Sequence, residues 1–254
     1  MANAAADGKE DPLAQVYHEQ ADAYDRLVAH EDYQRNLLPA LTRIWPSAGL
    51  DVVDLGTGTG RLATMLAPTA RSLSAFDLSP AMLAVAQNRL NLARVSGPSQ
   101  GCPNSGRTLI GVADHRAIPL PDKSTDLVVA GWSLVYMAVW NPASWEHELG
   151  RALGEIGRVL RPGGAVIVME TMGTGYTTPN PPADLLPYFA YLDASGFAST
   201  WIRTDYAFSS PEEARSVVSF FFGESMVERC VLAAAGAESP VTLPECTGIW
   251  WTTF

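Results

Sequence analysis

Cysteine is scarce in this chain, and the residues present are poorly placed for a cross-linked fold. Only three occur in 254 residues, at Cys102, Cys230 and Cys246. They are far apart, they form no CxxC pair, and no histidine pattern lies beside them, so neither a disulfide framework nor a zinc site is indicated. The composition fits a reducing compartment and gives no reason to expect a bound metal.

Positive charge is also in short supply. The chain has 17 basic side chains against 27 acidic ones, for a formal net charge of -10. Proteins that bind phosphate backbones rely on lysine and arginine to release counterions, and an acidic chain lacks that driving force. We therefore expect no nucleic-acid partner.

Long hydrophobic runs are absent as well. The longest apolar stretch, 127–140, is bounded by Asp126 and Asn141 and is shorter than the roughly 20 residues that cross a bilayer. The first residues, MANAAADGKEDP, lack the basic flank and apolar segment of a secretory signal. We expect residues 1–12 to form a disordered tail, and the protein to be cytoplasmic with no membrane partner.

What the chain does contain is an alternation of short apolar runs with helix-like periodicity. Helical spacing of apolar residues over 13–46 predicts one or two cap helices at the N-terminus. Beyond it, strands are predicted at 51–55, 72–77, 108–113, 126–130 and 164–170. Helices are predicted near 61–67, 80–94 and 144–160, the second of them starting after Ser79 with Pro80 in its first turn.

This alternation predicts an α/β fold with a doubly wound, mostly parallel sheet covered on both faces. The Gly- and Pro-rich segment 95–107 predicts a surface loop. A proline-broken loop over 171–190, a strand at 198–206, a helix at 211–229 and a last strand at 246–253 complete the pattern. We interpret 13–254 as a single domain, with the cap at 13–46, a ligand-binding core at 50–170, and a substrate loop and C-terminal hairpin at 171–254.

A glycine-rich turn follows the first predicted strand. The stretch DVVDLGTGTGRLA, residues 51–63, holds Gly56, Gly58 and Gly60 within five positions. Glycines permit positive φ and close approach of a ligand, and free amides at a following helix attract an anionic or polar group. Asp54 precedes the first glycine by two residues. The loop therefore predicts a ligand-binding turn.

Two further acids end the next strands. Asp77 closes the second predicted strand and Asp114 follows the third, so both are expected at the edge where doubly wound sheets bind ligands. A carboxylate at that position accepts the hydroxyls of a ribose, which indicates a nucleoside. Residues 58–63 also satisfy the dinucleotide pattern GxGxxA, but Asp54 would repel a pyrophosphate and favours a ligand that carries a cation.

Four segments in order carry a family resemblance: VVDLGTGTG, AFDLSPAMLAVAQ, VADHRAIPLPDKSTDLVVA and EIGRVLRPGGAVIVME. They are similar to the successive motifs of class I S-adenosylmethionine-dependent methyltransferases, closest to the type 11 group, over about residues 50–170. The resemblance implies a Rossmann-like sheet of seven strands with an antiparallel last strand. It also implies S-adenosyl-L-methionine as cofactor, S-adenosyl-L-homocysteine as product, and a small-molecule acceptor.

Carried over by position, the resemblance also implies cofactor contacts. Gly56, Gly58 and Gly60 would hold the methionine portion, with Asp54 near its amino group. Asp77 would bind the ribose, and Asp114 would face the adenine amine. The flanking positions implied are Leu78, Met82, Ala113 and His115, with Gly131 and Trp132 at the sulfonium end and Tyr24 of the cap covering the cofactor.

The sequence indicates the catalytic residues and the acceptor less clearly than it indicates the cofactor contacts. A general base helps when the acceptor atom carries a proton, and His30 and Tyr24 on the cap are the catalytic candidates. Methyl transfer to an oxygen, nitrogen or carbon atom is the leading hypothesis. A non-methylating relative that keeps the cofactor, acting as a cyclase or isomerase, and an NAD(P)-dependent oxidoreductase are the alternatives. The acceptor and the oligomeric state are left open.

Overall fold

A computed structural model of the chain describes residues 21–96, 107–228 and 240–254. The predicted tail at 1–12, the first part of the cap and most of the loop at 95–107 lie outside the described residues, as do Cys102 and Cys230. The described strands are β1 Asp51–Leu55, β2 Ser72–Asp77, β3 Arg107–Val112, β4 Thr125–Gly131, β5 Leu160–Thr174, β6 Ala198–Arg203, β7 Tyr206–Phe208, β8 Val241–Leu243 and β9 Glu245–Thr253.

Seven of these strands form one sheet in the order β3-β2-β1-β4-β5-β9-β6. The pairs from β3 to β5 are parallel, whereas β9 is antiparallel to both β5 and β6. The predicted mostly parallel sheet with a reversed last strand is therefore confirmed. The order reverses between β1 and β4, which places the switch point of the sheet at the carboxyl end of β1.

The helices in chain order are α1 Ala21–His30, α2 Leu37–Ile44, α3 Arg61–Leu66, α4 Pro80–Ser96, α5 Tyr136–Trp140, α6 Trp145–Val159, α7 Leu186–Ala194, α8 Pro211–Phe222 and α9 Glu224–Met226, with a 3₁₀ turn at Ala183–Leu185. Serines start two of them. The hydroxyl of Ser79 accepts from Met82 N, as the sequence predicted for α4, and that of Ser210 accepts from Glu213 N at the start of α8. These contacts satisfy amides that the helix itself leaves free.

Alternating apolar side chains of the central strands supply a core on each face of the sheet. Val53 and Val128 face α6 and α7 in one buried cluster, while Val52 and Val129 face α2 and α3 in the other. Strands buried on both faces must be apolar at every position. This explains the apolar runs VV in β1, LVVA in β4 and AVIVM in β5.

The C-terminal third differs from the sequence prediction in three elements. The strand predicted at 198–206 is divided, because Thr204 and Asp205 separate β6 from β7, which pairs with β8 in a separate ribbon. The helix predicted at 211–229 ends at Phe222, since Gly223 adopts φ +81° and its N–H bonds the carbonyl of Ser219. The interval 171–190 contains the end of β5 and the start of α7, so it is not wholly a loop.

Aromatic residues of the C-terminal third belong to different core clusters. Trp250 stacks on Phe189 with ring centroids 4.8 Å apart, on the face of the sheet that α7 covers. Phe221 instead lies near Tyr24 of α1, with centroids 6.0 Å apart. The β7–β8 ribbon, α8 and the cap form a third core cluster. This cluster holds the cap against one end of the sheet, beside the glycine loop.

None of the described helices is both long enough and apolar enough to span a membrane.

Candidate cofactor and acceptor site

A cavity opens above the carboxyl ends of β1, β2 and β4, beneath the cap helix α1. Most of its wall comes from the turns that follow these strands, and α1, α5 and the residue after Asp114 complete it. The lining residues are Tyr24, Val28, Gly56, Thr57, Gly58, Thr59, Arg61, Leu62, Asp77, Leu78, Ser79, His115, Gly131, Trp132, Ser133, Tyr136, Met137 and Trp140. The cavity therefore lies at the switch point of the sheet, where the sequence predicted a ligand.

The glycine loop has a conformation that other residues would not tolerate. Gly56, Gly58 and Gly60 all have positive φ, at +69°, +54° and +84°. A Cβ on Gly56 would lie 2.3 Å from Cβ of Ser133, and one on Gly60 would lie 3.0 Å from Cβ of Ala86. Both turn geometry and close packing thus require glycine at these two positions.

Two carboxylates hold this loop. Asp77 at the end of β2 accepts from the N–H of Gly58 and from that of Ser79, both at 2.8 Å. Asp54 is fully buried, its Oδ2 accepts from the hydroxyl of Thr57 at 2.6 Å, and burial raises its pKa to about 7. Asp77 lines the cavity, whereas Asp54 lies behind the loop and stabilises its first turn.

Several buried polar atoms around the loop have no hydrogen-bond partner in the protein: Oδ1 of Asp54, Oγ1 of Thr59 and both ring nitrogens of His115. Thr59 and His115 line the cavity. Burial lowers the pKa of His115, so its ring is neutral and offers one donor and one acceptor. Unsatisfied buried polar groups are costly and rare in folded proteins, and their clustering here indicates a polar ligand.

An ion pair links the cap to the glycine loop. Nη1 of Arg61, the first residue of α3, lies 2.7 Å from Oε2 of Glu31, and both side chains are almost fully buried. The guanidinium carbon of Arg61 also lies 4.0 Å from the ring centroid of Trp132. This geometry is that of a cation–π contact. Arg61 therefore presents a fixed cation at the cavity wall, held from one side by the cap and from the other by the turn after β4.

The turn after β4 supplies an aromatic wall. Trp132 has φ +51°, a conformation rare for a bulky residue, and its N–H bonds the carbonyl of Met169. Tyr136 and Trp140 of α5 stack with centroids 4.5 Å apart and an interplanar angle of 22°. Backbone strain of this kind persists where neighbouring structure enforces it, and it concentrates at functional sites. Trp132, Tyr136 and Trp140 thus form one side of the cavity.

Asp114, predicted beside the adenine, is already paired in this structure. Arg116 contacts both of its carboxylate oxygens, and this side-chain hydrogen bonding lowers the pKa of Asp114 to about 2. Arg116 also pairs with Glu148 of α6. Asp114 lies behind the cavity wall next to His115, and its contact with an adenine stays a prediction.

The two catalytic candidates of the cap are in different positions. Tyr24 lines the cavity, near Gly58, and burial raises its pKa to about 12. His30 does not line the cavity: its Nδ1 bonds the carbonyl of Ala207 and its ring packs on Phe208. His30 therefore lies in the contact between the cap and the β7–β8 ribbon. Tyr24 stays close to any ligand held by the loop.

The structure brings together most of the predicted cofactor residues: Tyr24, Gly56, Gly58, Asp77, Leu78, His115, Gly131 and Trp132 line one cavity. Asp54, Gly60, Met82, Ala113 and Asp114 are not among the residues that line it. Sequence reasoning missed the pairing of Glu31 with Arg61, because the two are thirty residues apart and only the fold of the cap joins them. It also missed Ser133, whose hydroxyl bonds the carbonyl of Leu55.

Comparison with known proteins shows which families the chain is similar to. Residues 53–168 match a family model described as a methyltransferase domain. The malonyl-[acyl-carrier protein] O-methyltransferase of Pectobacterium atrosepticum is 31% identical over 164 residues, 64% of this chain and 54% of that protein. The ubiquinone/menaquinone biosynthesis C-methyltransferase UbiE of Bordetella avium is 29% identical over 64% of this chain and 58% of that protein.

The chain thus spans about half the length of these curated relatives. Among solved structures, the [4+2]-cyclase SpnF is similar in fold, with a TM-score of 0.56 and 22% identity over 95% of this chain and 94% of that one. The ordered motifs, the sheet order and these matches agree with one another. Residues 53–168 are thus similar to the methyltransferase-domain family.

Proposed function

We propose that this protein binds S-adenosylmethionine in the cavity at the end of β1 and transfers its methyl group to a small aromatic acceptor. The observation that carries the proposal is the set of polar groups around the glycine loop that the protein leaves unpaired, Thr59 Oγ1 and the ring of His115. They lie in the same cavity as Asp77. A polar nucleoside satisfies such groups, and an apolar ligand does not.

The residues of the loop suit the parts of this cofactor. Gly56 and Gly58 give the methionine portion close access to backbone, and Asp77 holds the ribose hydroxyls while keeping its bonds to the loop amides. Leu78, half exposed at the cavity mouth, covers the base. The bound cofactor would supply an electrophilic methyl group on a sulfonium, and transfer of that methyl group would leave the carbon–sulfur bonding pair on sulfur.

The chain's own contribution is then alignment and exclusion of water. Holding two reactants in line supplies roughly 7–11 kcal/mol of a barrier. The aromatic rings of Trp132, Tyr136 and Trp140 line the cavity next to the glycine loop, and Val28 and Met137 extend this apolar lining. Such surfaces bind planar rings by stacking. They indicate an aromatic acceptor.

The charge distribution favours a free acceptor over one carried on a protein. Most arginines of the described part are engaged in ion pairs with neighbouring carboxylates: Arg71, Arg89, Arg116, Arg151, Arg158, Arg161 and Arg203. The chain has a net charge of -10. An acidic carrier protein would be repelled at long range by this net charge.

The similarity in fold to a cyclase suggests one alternative function, in which the cofactor is bound but its methyl group is not transferred. A relative of this fold that binds the cofactor without consuming it would use the same loop and the same aromatic wall. The two functions differ in the fate of the cofactor. Methyl transfer releases one S-adenosylhomocysteine for each product formed, whereas cyclisation releases none.

The test is a turnover assay with methyl-labelled S-adenosylmethionine and a panel of hydroxylated, aminated and carboxylated aromatic compounds. We expect labelled product and S-adenosylhomocysteine in equal amounts with at least one hydroxylated acceptor. Glu146→Gln, which changes an exposed side chain of α6, is the matched active control, and Gly56→Ala the inactive one. A cofactor that binds but is never consumed with any acceptor would contradict methyl transfer.

A further inference from the structure

The cavity contains a cation whose purpose the proposed function leaves unexplained. Arg61 is the arginine that lines it, and its side chain is only 11% exposed. The backbone geometry of the loop does not need this guanidinium, because Asp77 and Thr57 already fix the loop. A buried cation is costly unless it is paired and hydrogen-bonded. Its placement beside the aromatic wall therefore calls for a reason.

Glu31 satisfies only part of this guanidinium. Arginine carries five N–H donors in a planar fork, and the ion pair with Glu31 is made at Nη1. The ionisable groups close enough to interact with its charge are Tyr24 of α1, Glu31 and Asp32 of the cap turn, Asp54 behind the glycine loop and Tyr206 of β7. Glu31 is the one that pairs with the guanidinium directly. The fork has donors left for a second oxygen acceptor approaching from the cavity.

The other lining groups are poorly placed to remove a proton. The carboxylate oxygens of Asp77 already accept from the amides of Gly58 and Ser79. The pKa of Tyr24 is raised to about 12 by burial, and burial lowers the pKa of His115, which makes it a weak base. His30 lies outside the cavity. A nearby positive charge favours ionisation of an acceptor hydroxyl, with its proton released to solvent, because an opposite charge within about 4–6 Å lowers a pKa by roughly 1–3 units.

We propose that Arg61 binds the anionic oxygen of the aromatic acceptor and holds that acceptor as its phenolate against Trp132. This inference rests on the proposed function and narrows the substrate class to phenols. Glu31 acts as a positioning residue, because it fixes the orientation of the guanidinium from the cap side. A carboxylate on the cofactor itself is the other possible source of an anionic oxygen.

The test uses 4-nitrophenol, whose ionised form absorbs visible light, as the probe of the acceptor subsite. Titration of the probe from pH 5 to 9, with and without saturating S-adenosylhomocysteine, reports its apparent pKa when bound. We expect a decrease of about one unit or more in the natural protein. We expect Arg61→Met to abolish this shift and Arg61→Lys to retain part of it.

Two variants control for effects on folding. Arg89→Met removes another arginine that pairs with the cap, at Asp25, without touching the cavity, and should leave the shift unchanged. Arg61→Met with Glu31→Gln avoids leaving a buried carboxylate unpaired, a state that destabilises proteins by about 3–5 kcal/mol. If this folded double variant still lowers the pKa of the probe, the proposal is wrong.

A second measurement separates the two anionic oxygens. Affinities for S-adenosylhomocysteine and for 5′-methylthioadenosine, which lacks the amino-acid portion, are compared by calorimetry in the natural protein and in the Arg61→Met variant. Equal ratios in both proteins support the acceptor assignment. A tenfold loss confined to S-adenosylhomocysteine would assign Arg61 to the cofactor carboxylate and overturn the proposal. Failure of the natural protein to bind either nucleoside contradicts the proposed function instead.

Discussion

At the scale of single residues, the site depends on backbone positions that exclude side chains. Gly56 combines a φ of +69° with contact to Ser133 on the neighbouring turn, so that two strand ends meet with no space between them. Thr59, His115 and Asp77 then contribute their polar atoms at fixed positions along the same wall. Ligand binding at this site requires the close approach of the glycine loop to the turn that carries Ser133, and Gly56 is the residue that permits this approach.

Replacing Gly56 by alanine should impair ligand binding more than it impairs folding. The new Cβ would lie 2.3 Å from Cβ of Ser133, so the loop must shift away from the cavity. Strain of about 1–3 kcal/mol, together with the displaced amides, predicts a loss of cofactor affinity of more than about tenfold. Calorimetric titration with S-adenosylhomocysteine measures this loss.

Gly163→Ala is the matched control for backbone strain. Gly163 has a φ of +79° and no atom within 4 Å of its Cβ position, and it lies in β5 away from the cavity. The Gly163→Ala substitution should reduce thermal stability while leaving the affinity for S-adenosylhomocysteine within about twofold of that of the natural protein. Equal losses of affinity in both variants would show that the effect is global.

At the scale of elements, the short helix α5 is held to the sheet by one buried carboxyl group. Glu170 of β5 accepts from the N–H of Val135, at the start of α5, and from the hydroxyl of Tyr188 in α7. Its other oxygen has no partner, and burial raises its pKa to about 8. The carboxyl is therefore protonated near neutral pH. The aromatic wall depends on this connection because Tyr136 and Trp140 belong to α5.

Glu170 makes the stability of the free protein depend on pH. Its folded-state pKa lies above the ordinary value of 4.5, so the folded protein holds a proton that the unfolded chain releases between about pH 4.5 and pH 8. The contribution of this group to the free energy of unfolding therefore decreases as pH rises through that window. Denaturant titrations at several pH values measure how the free energy of unfolding changes with pH. In Glu170→Gln this slope should be smaller by the contribution of one proton.

Glu146→Gln provides the comparison for that experiment, because Glu146 is exposed on α6. Its pH profile should follow that of the natural protein. An unchanged slope in Glu170→Gln would mean that the carboxyl of Glu170 is ionised in the folded protein, and the stated connection between β5 and α5 would then need a different physical basis.

The elements that could be predicted from the sequence are those whose pattern is local. The strands β1 to β5 each contain a short apolar segment, and the start of α4 follows from Ser79 and Pro80, so both can be predicted directly. The break at Gly223 and the division of β6 from β7 depend on contacts made between distant segments. The same holds for the site, since the glycine loop is a sequence motif whereas the contact of Arg61 with Glu31 exists only after the cap has folded.

At the scale of the whole molecule, the charge distribution disfavours an acceptor carried on an acidic protein and permits a free aromatic acceptor. Most basic side chains of the described part are paired within the protein, and the net charge is strongly negative. Long-range attraction to an acidic partner is therefore weak at any ionic strength. A small aromatic acceptor needs no such long-range attraction, because stacking and burial of its apolar surface can provide the binding free energy.

A comparison of acceptors tests this conclusion. Methyl transfer to a free phenol should be measurable and should change less than about threefold when ionic strength rises from low to physiological values. Transfer to a malonyl group on an acyl carrier protein should not be detectable even at low salt. Activity on the loaded carrier that increases as salt is removed would show a docking surface that the arrangement of ion pairs does not provide.

The most direct measurement of the central claim is the affinity of the natural protein and of Asp77→Ala for S-adenosylhomocysteine by isothermal titration calorimetry. Hydrogen bonds to a charged group contribute about 1.5–3 kcal/mol, so we expect one molecule bound per chain in the natural protein and an affinity lower by roughly 10- to 100-fold in the variant. Absence of binding at millimolar ligand, or an unchanged affinity in a folded Asp77→Ala protein, would contradict a nucleoside held at the end of β2.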